Sequence, residues 1–194
     1  MNLEINDALI PGTKLNKSDM GNVTGLEFLS KVFYISEGVM LSQIREVSGI
    51  DGSTLQNWTK RGWVANARLK KYNIDQVAHI LIINMLRSCI QLDHIAFLLQ
   101  YINGKIDDKS DDIIRDSVLY DYICRILETL TRQDVASKAS IKEVIREQIS
   151  DYEEAMAGAR DRLANVLEII VTAYYAALIK RSSDEMLANL MSTY

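Results

Sequence analysis

Between Leu41 and Val64 the sequence reads LSQIREVSGIDGSTLQNWTKRGWV. Two helix-length segments hinge there on Gly49, and few chain geometries accommodate that. In the first segment Leu41, Ile44 and Val47 recur at helical spacing and form one apolar side. Ser42 is its candidate N-cap. Gly49 supplies a turn at positive φ with little cost, and Ile50 is a small apolar plug behind it. Asp51 is placed to cap the second segment, roughly 53–61, and Gly62 to end it as the residue beyond the C-cap. Leu55 and Trp58 lie three apart and face inward together. Two short helices packed steeply across so tight a turn make a helix-turn-helix.

What is left outward is polar and basic: Ser53, Thr54, Gln56, Asn57, Lys60 and Arg61. Gln and Asn pair bidentately with adenine in a major groove, and Ser or Thr bonds base edges or phosphates. Lys60 and Arg61, at the helix end, suit backbone phosphates. WVANARLKKY (63–72) has no helical stripe and reads as a short β-hairpin wing. Its Arg68, Lys70 and Lys71 would add phosphate contacts. From Met40 to Tyr72 six basic residues face two acidic ones, a local charge of +4 in a chain whose total is -4. A nucleic-acid surface on this molecule is therefore a local patch. Basic residues near a helix C-terminus also favour the helix dipole, by about 0.3–1 kcal/mol. Trp58 and Trp63 read as core anchors rather than base-stacking groups.

The surroundings are helical. One proline in 194 residues, with 48% apolar and 25% charged residues, is globular, helix-rich composition. Residues 1–23 show no period and read as an N-terminal arm. Thr24 and Glu27 form a capping box that opens a helix to about Ile35, ended by Gly38. Asn73 and Gln76 open another, carried by Val77, Ile80, Leu81, Asn84 and Met85. Ile95, Leu98, Leu99 and Ile102 follow. NGKIDDKS (103–110) breaks the pattern and divides the chain. Beyond it Ile114, Val118, Tyr122, Ile126 and Leu130 form one stripe. Ser140 and Glu143 box the start of a second, Ile141 to Met156, and Leu163 to Leu178 form a third. Ser183 caps a short last helix. The expected organisation is mainly α: the arm, a winged helix-turn-helix DNA-binding domain over 24–103, and a helical dimerisation or sensing region over 104–194. The stripes between 140 and 180 suit an antiparallel bundle or a two-chain interface.

The residues Leu41, Ile44, Gly49, Ile50, Leu55, Trp58, Lys60, Gly62, Trp63, Lys70, Tyr72 and Val77 resemble the winged helix-turn-helix of the MerR type. LDHIAFLL (92–99) is similar to that family's next helix, so the likeness covers about 40–103. GSTLQNWTKRGWV, KKYNIDQVAHILIINMLR and YINGKIDDKSDDII resemble, over roughly 24–130, a bacterial family catalogued as domain of unknown function 1836. The MerR likeness implies duplex-DNA binding through the second helix and the wing. Two positions depart from that pattern. Arg45 stands where a small residue is usual, and Asn57-Trp58 replaces an aromatic pair.

Other chemistries are poorly supported. DDKSDD (107–112) lacks the alternation, central Gly and later Glu of a calcium loop. Ser110 reads there as a helix cap, with Asp111 and Asp112 in the first turn. His79 and His94 have no partner at ligand spacing, and Cys89 and Cys124 fall in apolar helical patterns as small core residues. Neither a phosphate loop nor a nucleophile elbow is present. Tyr120, Tyr122, Tyr152, Tyr174 and Tyr175 are core or interface groups by default, though they could line a ligand pocket. Leu163 to Ile179, broken by Asn165, Glu168 and Thr172, reads as a buried helix rather than a membrane span. The expectation is a cytoplasmic, homodimeric transcriptional regulator that binds double-stranded DNA. It needs no metal or cofactor, does not engage a membrane, is not an enzyme, and has room for a small-molecule effector of unassigned class. The competing reading is a helical protein-interaction module that keeps the fold without binding DNA.

Overall fold

The computed structural model describes residues 8–34, 38–106, 108, 110–133 and 138–193. Among them are eight α-helices and one two-stranded sheet. The helices are α1 (Gly25–Val32), α2 (Leu41–Ser48), α3 (Gly52–Lys60), α4 (Ile74–Leu86), α5 (Leu92–Asn103), α6 (Asp116–Gln133), α7 (Lys138–Gln148) and α8 (Ala159–Ser192). Strands β1 (Val39–Met40) and β2 (Lys71–Tyr72) pair antiparallel, Val39 with Tyr72 and Met40 with Lys71.

Helix α4 is the hub. Its capping box forms as the sequence indicates: the Asn73 side chain accepts from the Gln76 amide, and the Gln76 side chain accepts from the Asn73 amide. Beyond that the helix is apolar on nearly every side. Val77, Ala78, Ile80, Leu81, Ile82, Ile83 and Leu86 are all buried, as a helix surrounded by others must be. It packs on α2, α5, α6 and α8. One hydrophobic core therefore runs from Ile10 to Leu178, through both sides of the 103–110 segment.

Two helix starts are capped from elsewhere in the chain. The box at Thr24 and Glu27 does not form, because the Thr24 hydroxyl bonds Glu128 on α6. Asp121, also on α6, accepts instead from the Leu26 amide at 2.8 Å. Gly25 sits against that carboxylate at φ +57°, and an added Cβ would stand 2.2 Å from its Oδ1. The start of α6 is held in turn by Asp75 on α4. Its Oδ1 accepts from the Ser117 amide at 3.1 Å and the Ser117 hydroxyl at 2.6 Å. Its Oδ2 lies 3.1 Å from Arg115. Ser110, the expected cap, donates to Asp108 in the preceding loop, and α6 begins only at Asp116.

Burial raises the Asp75 pKa, but the hydrogen bonds from Ser117 and Arg115 outweigh it and hold the carboxyl below its usual range. The folded pKa is thus depressed. The stabilisation is present above the unfolded-state pKa, about 3.9, and is lost as pH falls through the folded value. Asp75→Asn is expected to cost about 1 kcal/mol at neutral pH, the usual worth of a helix cap. Urea unfolding checks this: the gap between parent and variant should close under acid conditions.

The C-terminal half departs from its expected segmentation. Ser140 lies inside α7, and Ile149, Tyr152 and Met156 fall beyond its end. Ser183 caps nothing, because α8 continues as one 34-residue helix. No Gly or Pro interrupts it, and Lys180 bonds Asp184 one turn on, at 2.6 Å. This helix is long and apolar enough, by length and composition, to cross a membrane. Its Leu163, Leu167, Val171, Tyr174 and Leu178 are nevertheless core residues. Tyr120, Tyr122 and Tyr152 are buried too. Cys124 is buried, and burial pushes its thiol up to about 12. Cys89 is exposed rather than core, since α4 ends at Leu86 and leaves it in the following turn.

Candidate nucleic-acid interface

The two-helix unit forms where the sequence places it. Ile44, Ile50, Leu55 and Trp58 are buried between α2, α3 and the rest of the core. Met40, not Ser42, is the N-cap of α2, with the Gln43 side chain accepting from its amide at 2.8 Å. Gly49 takes φ +72° at the hinge. Behind it the Ser48 hydroxyl donates to the Ile44 carbonyl at 2.6 Å and accepts from the Ile50 amide at 3.2 Å. Asn84 on α4 pins the hinge from below, donating to the Ser48 carbonyl at 3.0 Å and to the Gly12 carbonyl at 2.8 Å. Residues 8–23 are thereby part of the body: Ile10 is fully buried and the Tyr120 hydroxyl donates to the Pro11 carbonyl at 2.7 Å.

Asp51 caps α3. Its carboxylate accepts from the Thr54 amide at 2.8 Å and from the hydroxyls of Ser53 and Thr54. The Ser53 hydroxyl, then the Thr54 hydroxyl and amide, hold this carboxyl far below the ordinary range. Both hydroxyl protons are thus committed locally. At the other end the Gly62 amide donates to the Thr59 carbonyl and the Trp63 amide to the Trp58 carbonyl, each at 3.0 Å. That pair of bonds is a Schellman motif, with Gly62 at φ +75° beyond the C-cap.

Between these ends α3 turns Gln56, Asn57 and Lys60 to solvent. Among the described residues, no side-chain hydrogen bond or ion pair engages these three. Trp58, two per cent or less exposed, is the anchor beneath them, and Arg87 lies over its ring at 5.9 Å. Arg61 stacks on Trp63 at 5.0 Å. The hairpin is smaller than 63–72. Arg68 and Lys71 exchange backbone hydrogen bonds of 2.9 and 2.8 Å around Leu69 and Lys70, both at positive φ, the φ signature of a type I′ turn. The returning strand pairs with β1, ahead of α2, rather than with residues 63–67. Lys71 and Tyr72 pair with β1, which leads directly into α2, so the hairpin is fixed beside the two-helix unit. Arg68, Lys70 and Lys71 are exposed on it.

Two further cations join the candidate phosphate-contacting residues: Lys14, and Arg45 of the basic patch. Lys14 reaches over the hinge, its Cδ 3.7 Å from where a Gly49 Cβ would stand. Arg45 lies across the start of α3, its Cδ at 3.7 Å from the same position on Gly52. Arg45 is exposed, with its stem against the first turn of α3. The spacing of α2 places Arg45 on its outer side. Nothing in the sequence brings Lys14 to the hinge.

Behind the interface His79 on α4 joins two parts of the fold. Its Nε2 is 2.9 Å from the Trp63 carbonyl, and its Nδ1 is 3.2 Å from Asp116 at the start of α6. A cleft of about 350 Å³ opens beside it, lined by Arg61, Trp63, Asp93, Phe97 and Asp116 among others. No group of three or more His, Cys, Asp or Glu that could hold a metal ion occurs among the described residues.

The fold and this site define a mainly helical protein with a hinged two-helix unit, a small adjoining hairpin and a localised basic face. A family model described as Domain of unknown function (DUF1836) matches residues 26–123, half of the chain, and the chain belongs to that family. The match runs from α1 to Ile123 on α6, the two helices that Asp121 joins. Uncharacterized protein YkrK of Bacillus subtilis (strain 168) is similar, 27% identical over 166 residues that make up 80% of this chain and 71% of that protein. No solved structure matches the chain.

Proposed function

We propose that this protein is a DNA-binding transcriptional regulator whose N-terminal part is a MerR-like winged helix-turn-helix. The observation that carries the reading is the division of α3. Leu55 and Trp58 are sealed in the core, while Gln56, Asn57 and Lys60 stand exposed and unengaged beside a basic hairpin. Exposed amide side chains on a rigidly anchored helix suit base edges in a major groove. Lys60, Arg61, Arg68, Lys70 and Lys71 suit the flanking phosphates. Ser53 and Thr54, their protons held by Asp51, set the helix start and offer only lone pairs outward. The reading leaves room for a small-molecule effector of unassigned class. The reading carries with it a cytoplasmic protein, no membrane engagement and no enzymatic role. The exposed Phe97 and Tyr101, with ring centroids 6.2 Å apart, favour the alternative of a protein-interaction module.

Selection from random duplex sequence at low salt tests the reading. A defined motif should emerge. Gln56→Ala or Asn57→Ala should change which bases are selected more than overall affinity. Absence of any enriched sequence would sink the proposal, and an unchanged motif in both variants would remove these two as base readers.

A further inference from the structure

The stripes that the sequence offers for a two-chain interface are consumed by the fold. Leu163, Leu167, Val171, Tyr174 and Leu178 of α8 pack inward. A different face of the same helix is left open. Ile169, Thr172, Ala176, Ile179, Ser183, Met186 and Leu190 are all exposed, and their spacing alternates three and four residues without a break. That is the a/d spacing of a heptad, apolar at five of its seven positions, running roughly 32 Å along the helix. Its apolar members are well exposed, with Met186 at 59% and Leu190 at 63%. Soluble chains rarely leave a long contiguous apolar face uncovered.

We propose that a second copy of this chain covers this face, the two α8 helices packing antiparallel. The side chains are self-complementary in that direction. One register pairs every a position with a d position. Thr172 then meets the partner's Leu190, Ala176 meets the partner's Met186, and Ile179 meets the partner's Ser183. Each of these layers sets a large side chain against a small one, so helix spacing stays even. A parallel pair in register would stack Met186 on Met186 and Ala176 on Ala176, which no single spacing packs well. The width of the apolar surface points the same way. Leu187 and Met191 are 56% and 71% exposed beside the stripe, more than a lone helix covers. Antiparallel packing lays this end of α8 along the partner's 169–176 region. The proposal is independent of DNA binding.

The full chain should sediment as a dimer at micromolar concentration. Met186→Glu with Leu190→Glu, at positions exposed in the monomer, should keep its helical circular dichroism and raise the dimer dissociation constant about a hundredfold or more. In a Cys89→Ser background, Ala176→Cys with Met186→Cys should oxidise to a covalent dimer, while Met186→Cys alone should not. A monomeric parent, an undiminished dimer in the double-glutamate variant, or efficient cross-linking by Met186→Cys alone would each overturn the proposal. So would a monomer that floats with phosphatidylglycerol–phosphatidylcholine vesicles through this face.

Discussion

Replacing Lys60, Arg61, Lys70 and Lys71 together by Gln is expected to flatten the salt dependence of DNA binding by about 3.6 logarithmic units per decade, at about 0.9 for each phosphate neutralised. At about 0.1 M salt that corresponds to a loss of roughly three orders of magnitude in affinity, applied evenly across sequences. The reasoning rests on position. Lys60 ends α3, Arg61 follows it, and Lys70 and Lys71 belong to the hairpin whose strand pairs with β1 ahead of α2. The local +4 in a molecule of net -4 makes this the face that a polyanion meets favourably. Arg61 also stacks on Trp63, so its loss should lower stability by about 0.5–1 kcal/mol, which thermal unfolding would report separately. Fluorescence anisotropy over a salt series measures the slope. A variant slope equal to the parent's would mean that these cations do not touch phosphate.

What the sequence revealed follows the distance between partners. The cap at Asp51, the hinge at Gly49, the box at Asn73 and Gln76 and the close of α3 at Gly62 all depend on residues within a few positions of one another. Each formed as read. The starts of α1 and α6 depend on carboxylates far along the chain, Asp121 and Asp75, and local spacing offers only Thr24 and Ser110 in their place. The same limit applied at the site. Anchors and outward amides on α3 followed from helical spacing. Lys14 did not, because it reaches the hinge only through the path of residues 8–23. Ser42, Ser140 and Ser183 fail for another reason: each lies inside a helix that begins before it, where a Ser hydroxyl turns to solvent or to a carbonyl one turn back. The free edge of α8 became visible only once the fold had shown which stripe it buries.

The path of residues 8–23 yields the sharpest stability contrast. Gly12 and Gly62 share a φ of +75°, but an added Cβ meets nothing within 4 Å at Gly62 and stands 2.3 Å from the Leu81 carbonyl oxygen at Gly12. Gly62→Ala therefore incurs only the left-handed backbone penalty, about 1–2 kcal/mol. Gly12→Ala incurs the same penalty and also drives a methyl group into the backbone of α4, which side-chain movement cannot relieve. The overlap should add about 1–3 kcal/mol. Relief requires the segment to lift, and lifting it strains the bonds from Asn84 to the Gly12 carbonyl and from Tyr120 to the Pro11 carbonyl, and uncovers Ile10. A total near 3 kcal/mol would lower the melting temperature by about 6–12 °C in a chain of this size. Urea unfolding of the two variants side by side isolates the overlap from the shared backbone cost. Equal losses would show that residues 8–23 do not press on α4, and that the hinge beneath α3 is held by Asn84 and Ser48 without them.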